Sequence, residues 1–257
     1  MGWLHDGHRA LIRQARASDA TTVVSIFVNP RQFNVAEDYT RYPRSEARDI
    51  GICDSEGVDL VFAPEAIEIY LPGFDTTVSV GEVAQPLEGA ARPGHFQGVT
   101  TVVAILFGLV GAEHAYFGQK DAQQVMVIRQ MARDLASPTQ VIACPTVREA
   151  DGLALSSRNV HLSPDERRAA PVLRRALLAA RGRLEAGEGS AEVLRGVMRE
   201  TIAAEPLADI DYVSVADGQT LRELERVEAP ALFSLAVRFG STRLIDNEPV
   251  GDGPART

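Results

Sequence analysis

Two histidines close to the start of the sequence have the type and spacing to bind a triphosphate. His5 and His8 flank Asp6 and Gly7 and open a segment with a helical pattern. A helix N-terminus attracts phosphate because its first N–H groups lack partners within the helix and carry a partial positive charge. Residues three apart share one face of a helical turn, so both imidazoles can donate hydrogen bonds as pyrophosphate leaves. The alternative is two surface histidines in an ordinary loop.

A second polar cluster, at residues 116–124, follows a predicted strand and opens a predicted helix. In an open α/β sheet, ligands bind beyond the carboxyl ends of the strands, where this segment would lie. Lys120 can contact phosphate, and Asp121 can accept hydrogen bonds from ribose hydroxyls. Gln124 falls one turn inside the helix, where its amide can face the cleft. The alternative is a polar turn with a capping aspartate.

A third cluster occupies residues 147–159, where Ser156, Ser157 and Arg158 follow a glycine-containing loop. Two hydroxyls and a guanidinium suit a mobile clamp for phosphate. A flexible linker is the alternative, although the composition is more varied than that of a Gly/Ser spacer. Gln32 leaves another predicted strand at the ligand-binding end. It follows an Asn-Pro turn signal, so this segment could also be purely structural.

Short apolar runs alternate with helical patterns in the first half of the chain. The runs are typical of strands buried in a parallel sheet and lie at residues 21–28, 58–62, 114–117 and 140–144. The helical patterns lie at residues 6–16, 45–56, 98–110 and 121–135. Along the third of these helices, the apolar stripe from Val99 to Val110 is interpreted as core packing. This alternation predicts an α/β domain over residues 1–146, with a Rossmann-like, doubly wound parallel sheet.

The pattern changes in the second half. Ser163, Pro164 and Glu166 form a helix-start signal, from which one long helix is expected to reach about Glu185. A second helix is predicted at residues 191–204, and strands at 210–215, 231–239 and 242–245. These elements indicate a smaller α+β lid domain over residues 147–250. The Gly- and Pro-rich chain is expected to loosen from Asn247, with a tail at residues 251–257.

Composition excludes several function classes. The 257 residues carry 26 basic and 35 acidic side chains, a formal net charge of −9. Non-specific nucleic-acid binding and binding to anionic membranes both need a cationic surface, so neither is expected. Cys53 and Cys144 lie far apart, which argues against a disulfide framework or a zinc site. No apolar run approaches the roughly 20 residues that span a bilayer. We expect a cytoplasmic protein.

Taken in order, the motifs resemble the pantothenate synthetase (pantoate–β-alanine ligase) family. The resemblance runs from Met1 to about Asn247 and rests on an ordered set of segments. The set comprises Met-Gly-x-Leu-His-x-Gly-His, Ser-Ile-Phe-Val-Asn-Pro-x-Gln-Phe, Tyr-Pro-Arg, Leu-Glu-Gly, Arg-Pro-Gly-His-Phe, Tyr-Phe-Gly-Gln-Lys-Asp-Ala-Gln-Gln and Pro-Thr-Val-Arg-Glu-Ala-Asp-Gly-Leu-Ala-Leu-Ser-Ser-Arg-Asn. The resemblance implies that pantoate and ATP form pantoyl adenylate and pyrophosphate. β-Alanine then displaces AMP to give pantothenate.

The resemblance also implies roles for individual residues. His8 would assist the departure of pyrophosphate, with His5, Lys120 and Arg158 as catalytic companions. The implied ATP contacts are Met1, Gly2, Trp3, Leu4, His5, Asp6, Gly7, His8, Gly118, Gln119, Lys120, Asp121, Val147, Leu155, Ser156, Ser157 and Arg158. Gln32 and Gln124 would bind pantoate, and Gln32 would also lie near β-alanine. Mg²⁺ would be held chiefly by phosphate oxygens and water, with Asp49 as a nearby acid.

Three further expectations follow from the resemblance. It implies a homodimer. Family members have a strand ahead of Met-Gly, so we expect the sheet here to lack its usual first strand and Met1 to be an internal methionine taken as the start. Two neighbouring strands would then expose unpaired edges. The competing interpretations are another nucleotidyltransferase of the same superfamily and an inactive nucleotide-binding or assembly subunit.

Overall fold

Short parallel strands and their connecting helices make up the first of two units in the computed structural model. The model describes residues 2–34, 36–228 and 230–251, with the backbone alone at 36–38. The first unit contains the residues up to Gly118 together with Gln123–Cys144. Its helices are α1 Asp6–Ser18, α2 Ala36–Arg41, α3 Glu46–Ser55, α4 Ala66–Ile69, α5 Glu88–Ala91, α6 His95–Val110 and α7 Ala122–Asp134, whose first residue belongs to the other unit. Its strands are β1 Val23–Ser25, β2 Leu60–Phe62, β3 His114–Gly118 and β4 Gln140–Cys144.

The strands of this unit form two parallel pairs. Val23 of β1 lies opposite Leu60 of β2, and His114 of β3 lies opposite Gln140 of β4. The predicted parallel strands joined by helices are therefore confirmed, but the described strands make two separate two-stranded sheets. The run predicted as a strand at residues 21–28 pairs over three residues only, because β2 offers a ladder of that length.

Helices α6 and α7 supply most of the core of the first unit. Val99, Val102 and Val103 on α6 and Ile128 on α7 are all buried and belong to one apolar cluster. The interpretation of the α6 stripe as core is wrong at its end, where Leu109 is 63% exposed. Residues 108–110 are all exposed, because the last turn of α6 extends past the side chains that cover the rest of the helix.

The second unit contains Gln119–Ala122 and the residues from Pro145 onward. Its helices are α8 Pro164–Ala169, α9 Val172–Glu185 and α10 Ala191–Ala203, and its strands are β5 Asp209–Asp217, β6 Ala231–Phe239 and β7 Thr242–Val250. The strands form an antiparallel sheet in the order β5-β6-β7. Leu177 of α9, Leu194 of α10 and Phe233 of β6 share one core cluster and are fully buried. The predicted helices followed by a strand meander are therefore confirmed.

The predicted helix start at Ser163 is confirmed, but the single long helix is wrong. Ser163 caps α8, Pro164 is at the first helical position, and Glu166 completes a capping box. The helix then ends at Ala169, and α9 begins at Val172 after Pro171. Proline breaks the helix because it has no N–H group and its ring clashes with the preceding turn.

The end of β7 also differs from expectation. The strand continues to Val250, which pairs with Ala231 of β6, whereas the chain was expected to loosen from Asn247. A complete partner strand outweighs the local composition here, and Pro249 is tolerated because β7 is an edge strand. Of the predicted tail at 251–257, residues 252–257 lie outside the described residues.

The division into units differs in detail from the predicted boundary after residue 146. The chain leaves the first unit after Cys144, and the short segment Gln119–Ala122 belongs to the second unit. A segment that joins another unit for four residues has no compositional signal. In the described part of the chain, no helix is both long and apolar enough to cross a membrane.

Candidate active site

The two histidines of the opening motif are arranged around the first turn of α1. His5 is the N-cap: its Nδ1 accepts the Gly7 N–H at 3.1 Å, while its own N–H donates to Nδ1 of His8 at 3.2 Å. The two ring centroids are 4.1 Å apart. Because each Nδ1 accepts a hydrogen bond, each neutral imidazole carries its proton on Nε2. Both rings in that tautomer carry an Nε2–H group, and the helix N-terminus that they cap carries a partial positive charge.

Asp49 holds the segment that leads into this helix. Its carboxylate accepts the N–H groups of Trp3 at 2.6 Å and Leu4 at 2.8 Å, and the side chain is 1% exposed. Arg48 donates to the same carboxylate at 3.2 Å, and its guanidinium lies over the Trp3 ring. Gly2 has a φ of +97°, which glycine adopts without the strain of a side chain. Both oxygens of Asp49 thus bind main-chain donors, and its expected place near Mg²⁺ stays a prediction.

Gln32 lies in a 3₁₀ turn, Pro30–Gln32, capped by Asn29. The Asn29 amide donates to Oε1 of Gln32 at 3.1 Å and to the carbonyl of Gly98 at 3.0 Å, and both side chains are buried. Tyr70 donates its hydroxyl to Oδ1 of Asn29 at 2.7 Å. Burial raises the pKa of Tyr70 to about 12, so this donor keeps its proton. The network orients the Gln32 amide with Nε2 as its donor end. The sequence indicated Asn29 only as a turn residue.

The main chain of the same turn is held by residues at the end of α5 and the start of α6. The carbonyl of Gln32 accepts hydrogen bonds from Nδ1 of His95 at 2.9 Å and from Arg92 at 3.1 Å. A Cβ on Gly98 would lie 2.2 Å from the carbonyl oxygen of Arg31, so only glycine allows this approach. The Arg-Pro-Gly-His segment thus supports Gln32, because its Arg92 and His95 side chains bind the main-chain carbonyl of Gln32.

Two adjacent glutamines at the start of α7 have different surroundings. Gln123 is 5% exposed; its amide accepts the Glu88 N–H at 3.0 Å and donates to the carbonyls of Val83 and Pro86 at 3.0 and 2.7 Å. Gln124 is half-buried, and the side-chain bonds found in the described part of the chain do not involve it. Gln123 therefore fixes the turn that leads into α5, while Gln124 keeps its amide for another partner.

In the second unit, Lys120 belongs to the 3₁₀ turn Gln119–Asp121. Its ammonium lies 3.5 Å from the Asp121 carboxylate, and the lysine side chain is 17% exposed. Asn247 donates to the carbonyls of Gln119 and Lys120 at 3.0 and 2.9 Å. Gly118 ends β3 in the first unit. The predicted nucleotide contacts at residues 118–121 therefore include the point at which the chain passes from the first unit to the second.

The segment at 147–159 is an ordered hairpin. Arg148 and Ala154 form an antiparallel bridge, and the N–H of Leu155 donates to the carbonyl of Val147 at 3.0 Å. The two residues predicted to contact adenine are thus neighbours. Ser156 caps the 3₁₀ turn Ser157–His161. The flexible-linker alternative does not fit this geometry.

Of the predicted clamp loop, residues 156–158, Ser156 lines a small cavity together with Lys120 of the lysine turn, Gln119–Asp121. Oγ of Ser156 accepts the N–H of the exposed Arg158 at 3.2 Å. Ser156, Asn159 and Lys120 line the cavity together with Asp246 of β7. Asn159 donates to the carbonyl of Ala154 at 3.1 Å, while its buried Oδ1 has no hydrogen-bond partner among the described residues. Asn159 was not predicted as a site residue, because its position in the motif does not show which way the amide points.

Comparison with known proteins identifies the family. The family model for pantoate–β-alanine ligase matches residues 1–249. The chain belongs to the pantoate–β-alanine ligase family. It is 59% identical to the pantothenate synthetase of Roseiflexus sp. strain RS-1 over 247 residues, which cover 96% of this chain and 89% of that protein. This family membership favours a ligase over the two competing interpretations.

Solved structures of this ligase family agree with the fold. The pantothenate synthetase of Thermus thermophilus matches with a TM-score of 0.93 and 51% identity, covering 96% of this chain and 90% of that one. The pantoate–β-alanine ligase of Francisella tularensis, complexed with β-γ ATP and β-alanine, matches with a TM-score of 0.78 and 35% identity, covering 96% and 86%. Each of these two ligase structures matches nearly the whole of this chain.

Proposed function

We propose that this ligase joins pantoate to β-alanine in two steps driven by ATP. A pantoate carboxylate oxygen attacks the α-phosphorus of ATP, forming pantoyl adenylate and releasing pyrophosphate. The β-alanine amine then attacks the activated carbonyl carbon; the C–N bond forms, the bond to AMP breaks, and the amine loses a proton. Family membership supports this reaction. The observation that carries the site assignment is the arrangement of His5 and His8 around the first turn of α1, where each Nδ1 accepts a main-chain N–H.

The first step needs stabilisation of charge on the leaving pyrophosphate. We assign this task to Nε2 of His8 and His5, with the positively charged side chains of Lys120 and Arg158 as further partners of the phosphates. Preorganised donors at a helix N-terminus stabilise a developing anion without reorganising during the reaction. Positioning accounts for the rest of the acceleration, so no protein nucleophile is required.

Gln32 and Gln124 are assigned to pantoate, and Gln32 also to β-alanine. Support comes from the Gln32 amide, whose Oε1 is bound by Asn29 so that Nε2 is its donor end. An amide N–H suits the carboxylate and hydroxyl oxygens of pantoate. The half-buried amide of Gln124 offers both a donor and an acceptor.

The remaining nucleotide contacts are assigned by segment. Asp121 would bind ribose, and Ser156 and Ser157 the phosphates. Val147 and Leu155, joined across the hairpin, would cover adenine. Main-chain groups complete the set at Gly2, Trp3, Leu4, Asp6, Gly7, Gly118 and Gln119, while Met1, also assigned to ATP, lies outside the described residues.

We propose that Mg²⁺ accompanies ATP and is held by phosphate oxygens and water. In the described part of the chain, no three His, Cys, Asp or Glu side chains come together as a metal-binding group. Mg²⁺ keeps several waters and is commonly bound through substrate phosphates. Asp49 would stabilise the Gly2–Leu4 segment close to this charge, while its own oxygens bind Trp3 and Leu4.

We propose that the β1-β2 and β3-β4 pairs are two parts of one doubly wound sheet that lacks a strand between β1 and β3. The support is that, in the described residues, β1 pairs only with β2 and β3 only with β4. Residues 147–250 would act as a lid over a nucleotide-binding domain at residues 1–146.

We further propose that the chain is a cytoplasmic homodimer. Both cysteines are buried and reduced, as suits a reducing compartment. Light scattering on the purified protein should give about twice the chain mass of 27.7 kDa. A mass equal to one chain would contradict the dimer and leave the reaction unaffected.

A pyrophosphate-release assay tests the reaction. With ATP and pantoate alone, one pyrophosphate per site should appear in a burst, and β-alanine should convert the burst into steady turnover. Pyrophosphate release that does not depend on pantoate would contradict the ligase assignment. The absence of pyrophosphate release from the folded protein would also contradict it. Transfer of a nucleotide to a phosphate-containing acceptor would favour the other nucleotidyltransferase.

A further inference from the structure

Two adjacent residues of β7 bind two separate segments of the second unit. Asp246 and Asn247 are 3% and 4% exposed, so their polar groups depend on protein partners. Successive side chains of a strand point to opposite faces, which lets neighbouring residues reach different segments. One segment is the turn at Gln119–Asp121, and the other is the hairpin that leads into Ser156.

Both the oxygen and the nitrogen of the Asn247 side-chain amide form hydrogen bonds with the lysine turn. Oδ1 accepts a hydrogen bond from Nε2 of Gln119 at 3.1 Å, and Nδ2 donates to the carbonyls of Gln119 at 3.0 Å and Lys120 at 2.9 Å. A carboxylate could replace the acceptor but neither donor, and an aliphatic side chain could replace none of them. The arrangement therefore requires an amide.

Asp246 holds the hairpin through Arg148. The guanidinium binds both carboxylate oxygens, at 2.7 and 2.9 Å, and also donates to the carbonyl of Gly152 at 3.1 Å. A bidentate arginine–carboxylate pair fixes direction as well as distance. Oδ1 of Asp246 accepts the Asn247 N–H at 2.8 Å, which couples the two residues.

The two segments meet at one place. Lys120, Ser156 and Asp246 line the same small cavity, so the lysine turn and the clamp loop come together beside β7. We propose that Asp246 and Asn247 are positioning residues that set Lys120 against the Ser156–Arg158 loop for the ATP phosphates. This inference rests on the proposed function, because it takes Lys120 and the loop as phosphate contacts.

The variants Asn247→Asp and Asp246→Asn test the proposal. The first keeps the acceptor for Gln119 and loses both donors; the second keeps the shape and loses the charge that pairs with Arg148. Small displacements of a binding group cost up to about a hundredfold in rate. We expect the KM for ATP to rise about tenfold or more and pyrophosphate release to slow, while the KM for β-alanine stays within about twofold.

Glu248→Gln is the matched control. Glu248 is the next residue of β7 and is also buried, but it pairs with Arg174 and Arg181 of α9. It should lower thermal stability without changing the KM for ATP. Circular dichroism checks folding, and if Asn247→Asp does not fold, Asp246→Asn carries the test.

The outcomes separate the two proposals. If Lys120→Ala leaves the KM for ATP and the turnover unchanged, the assignment of Lys120 to phosphate fails. If Lys120→Ala is impaired but folded Asn247→Asp and Asp246→Asn keep the wild-type KM for ATP, the positioning role is overturned. Equal increases of both KM values, or an increase with Glu248→Gln, would also overturn it.

Discussion

The two units of the protein build their sheets in different ways. In the first unit, β1 and β2 have three residues each and no fully buried side chain. In the second, β6 has nine residues, eight of them buried, between two antiparallel neighbours. In the first unit, distant side chains hold the main chain next to the site residues: Asp49 binds the N–H groups of Trp3 and Leu4, and His95 binds the carbonyl of Gln32. The second unit holds its strands with a continuous apolar core. Chemistry and stability thus depend on different kinds of contact.

The largest expected effect is on activity in the first unit. His8→Asn can keep an acceptor for the His5 N–H but removes Nε2, so kcat should fall about 10²–10³-fold, as when a donor to a developing anion is lost. His8→Gln, which can place a donor near Nε2, should retain more activity. Burst kinetics of pyrophosphate release measure both. Equal activity of the two variants would contradict the Nε2 role.

A change in the core of the second unit should affect stability instead. Leu194 of α10 is fully buried, so Leu194→Ala should lower the free energy of unfolding by about 2–5 kcal/mol. Val193→Ala, at a neighbouring position that is 40% exposed, is the control and should cost far less. Urea denaturation measures both. Equal losses would mean that the core does not dominate the stability of this unit.

Asp49→Asn tests whether activity and stability depend on different contacts in the first unit. The change removes the charge from the hydrogen bonds to Trp3 and Leu4, which are worth about 1.5–3 kcal/mol each when the acceptor is ionised. We expect part of that loss in stability and about a tenfold lower kcat, because His5 follows directly. Asp54→Asn, exposed on the same helix, should change neither. Unchanged activity in Asp49→Asn would show that the segment keeps its place without the charge.

The smallest effect concerns the end of α1 opposite the histidines. Asp19 accepts hydrogen bonds from His114 and Tyr116, both at 2.6 Å. The bond to Asp19 raises the pKa of His114 above its ordinary value of 6.5, and Glu113 and Gln140 act in the same direction. The Tyr116 hydroxyl, followed by His114, lowers the pKa of Asp19.

Stability from protonated His114 is fully present below pH 6.5 and is lost as pH rises through the raised pKa of the folded state. The contribution of ionised Asp19 is lost only as pH falls through its own lowered pKa. The stability difference between wild type and His114→Gln should therefore shrink from about pH 5.5 to about pH 8.5 in urea titrations. A difference that grows with pH would contradict the ion pair.

Local patterns predicted much of both units. The capping signal at Ser163 and the strand at residues 231–239 agree with the structure, because each depends on neighbours within a few positions. The failures have two kinds of cause. Pro171 ends α8 within an otherwise helical pattern, which is a local effect, whereas β7 continues past Asn247 because β6 supplies partners. The last turn of α6 is apolar, yet Leu109 and Val110 are exposed in the described part of the structure.

The sequence by itself determined which chemical groups the protein has and in what order: the histidine pair, the lysine turn, the clamp loop and the elements that carry them. Only the tertiary structure decided which distant residues hold the segments that carry these groups. Asp49 reaches Leu4 across 45 positions, and Asn247 reaches Gln119 across 128, distances at which no spacing rule operates. The same applies to Gln123 and Gln124. They are adjacent residues of the same type, and only the folded structure shows that Gln123 binds main-chain groups while Gln124 is half-buried.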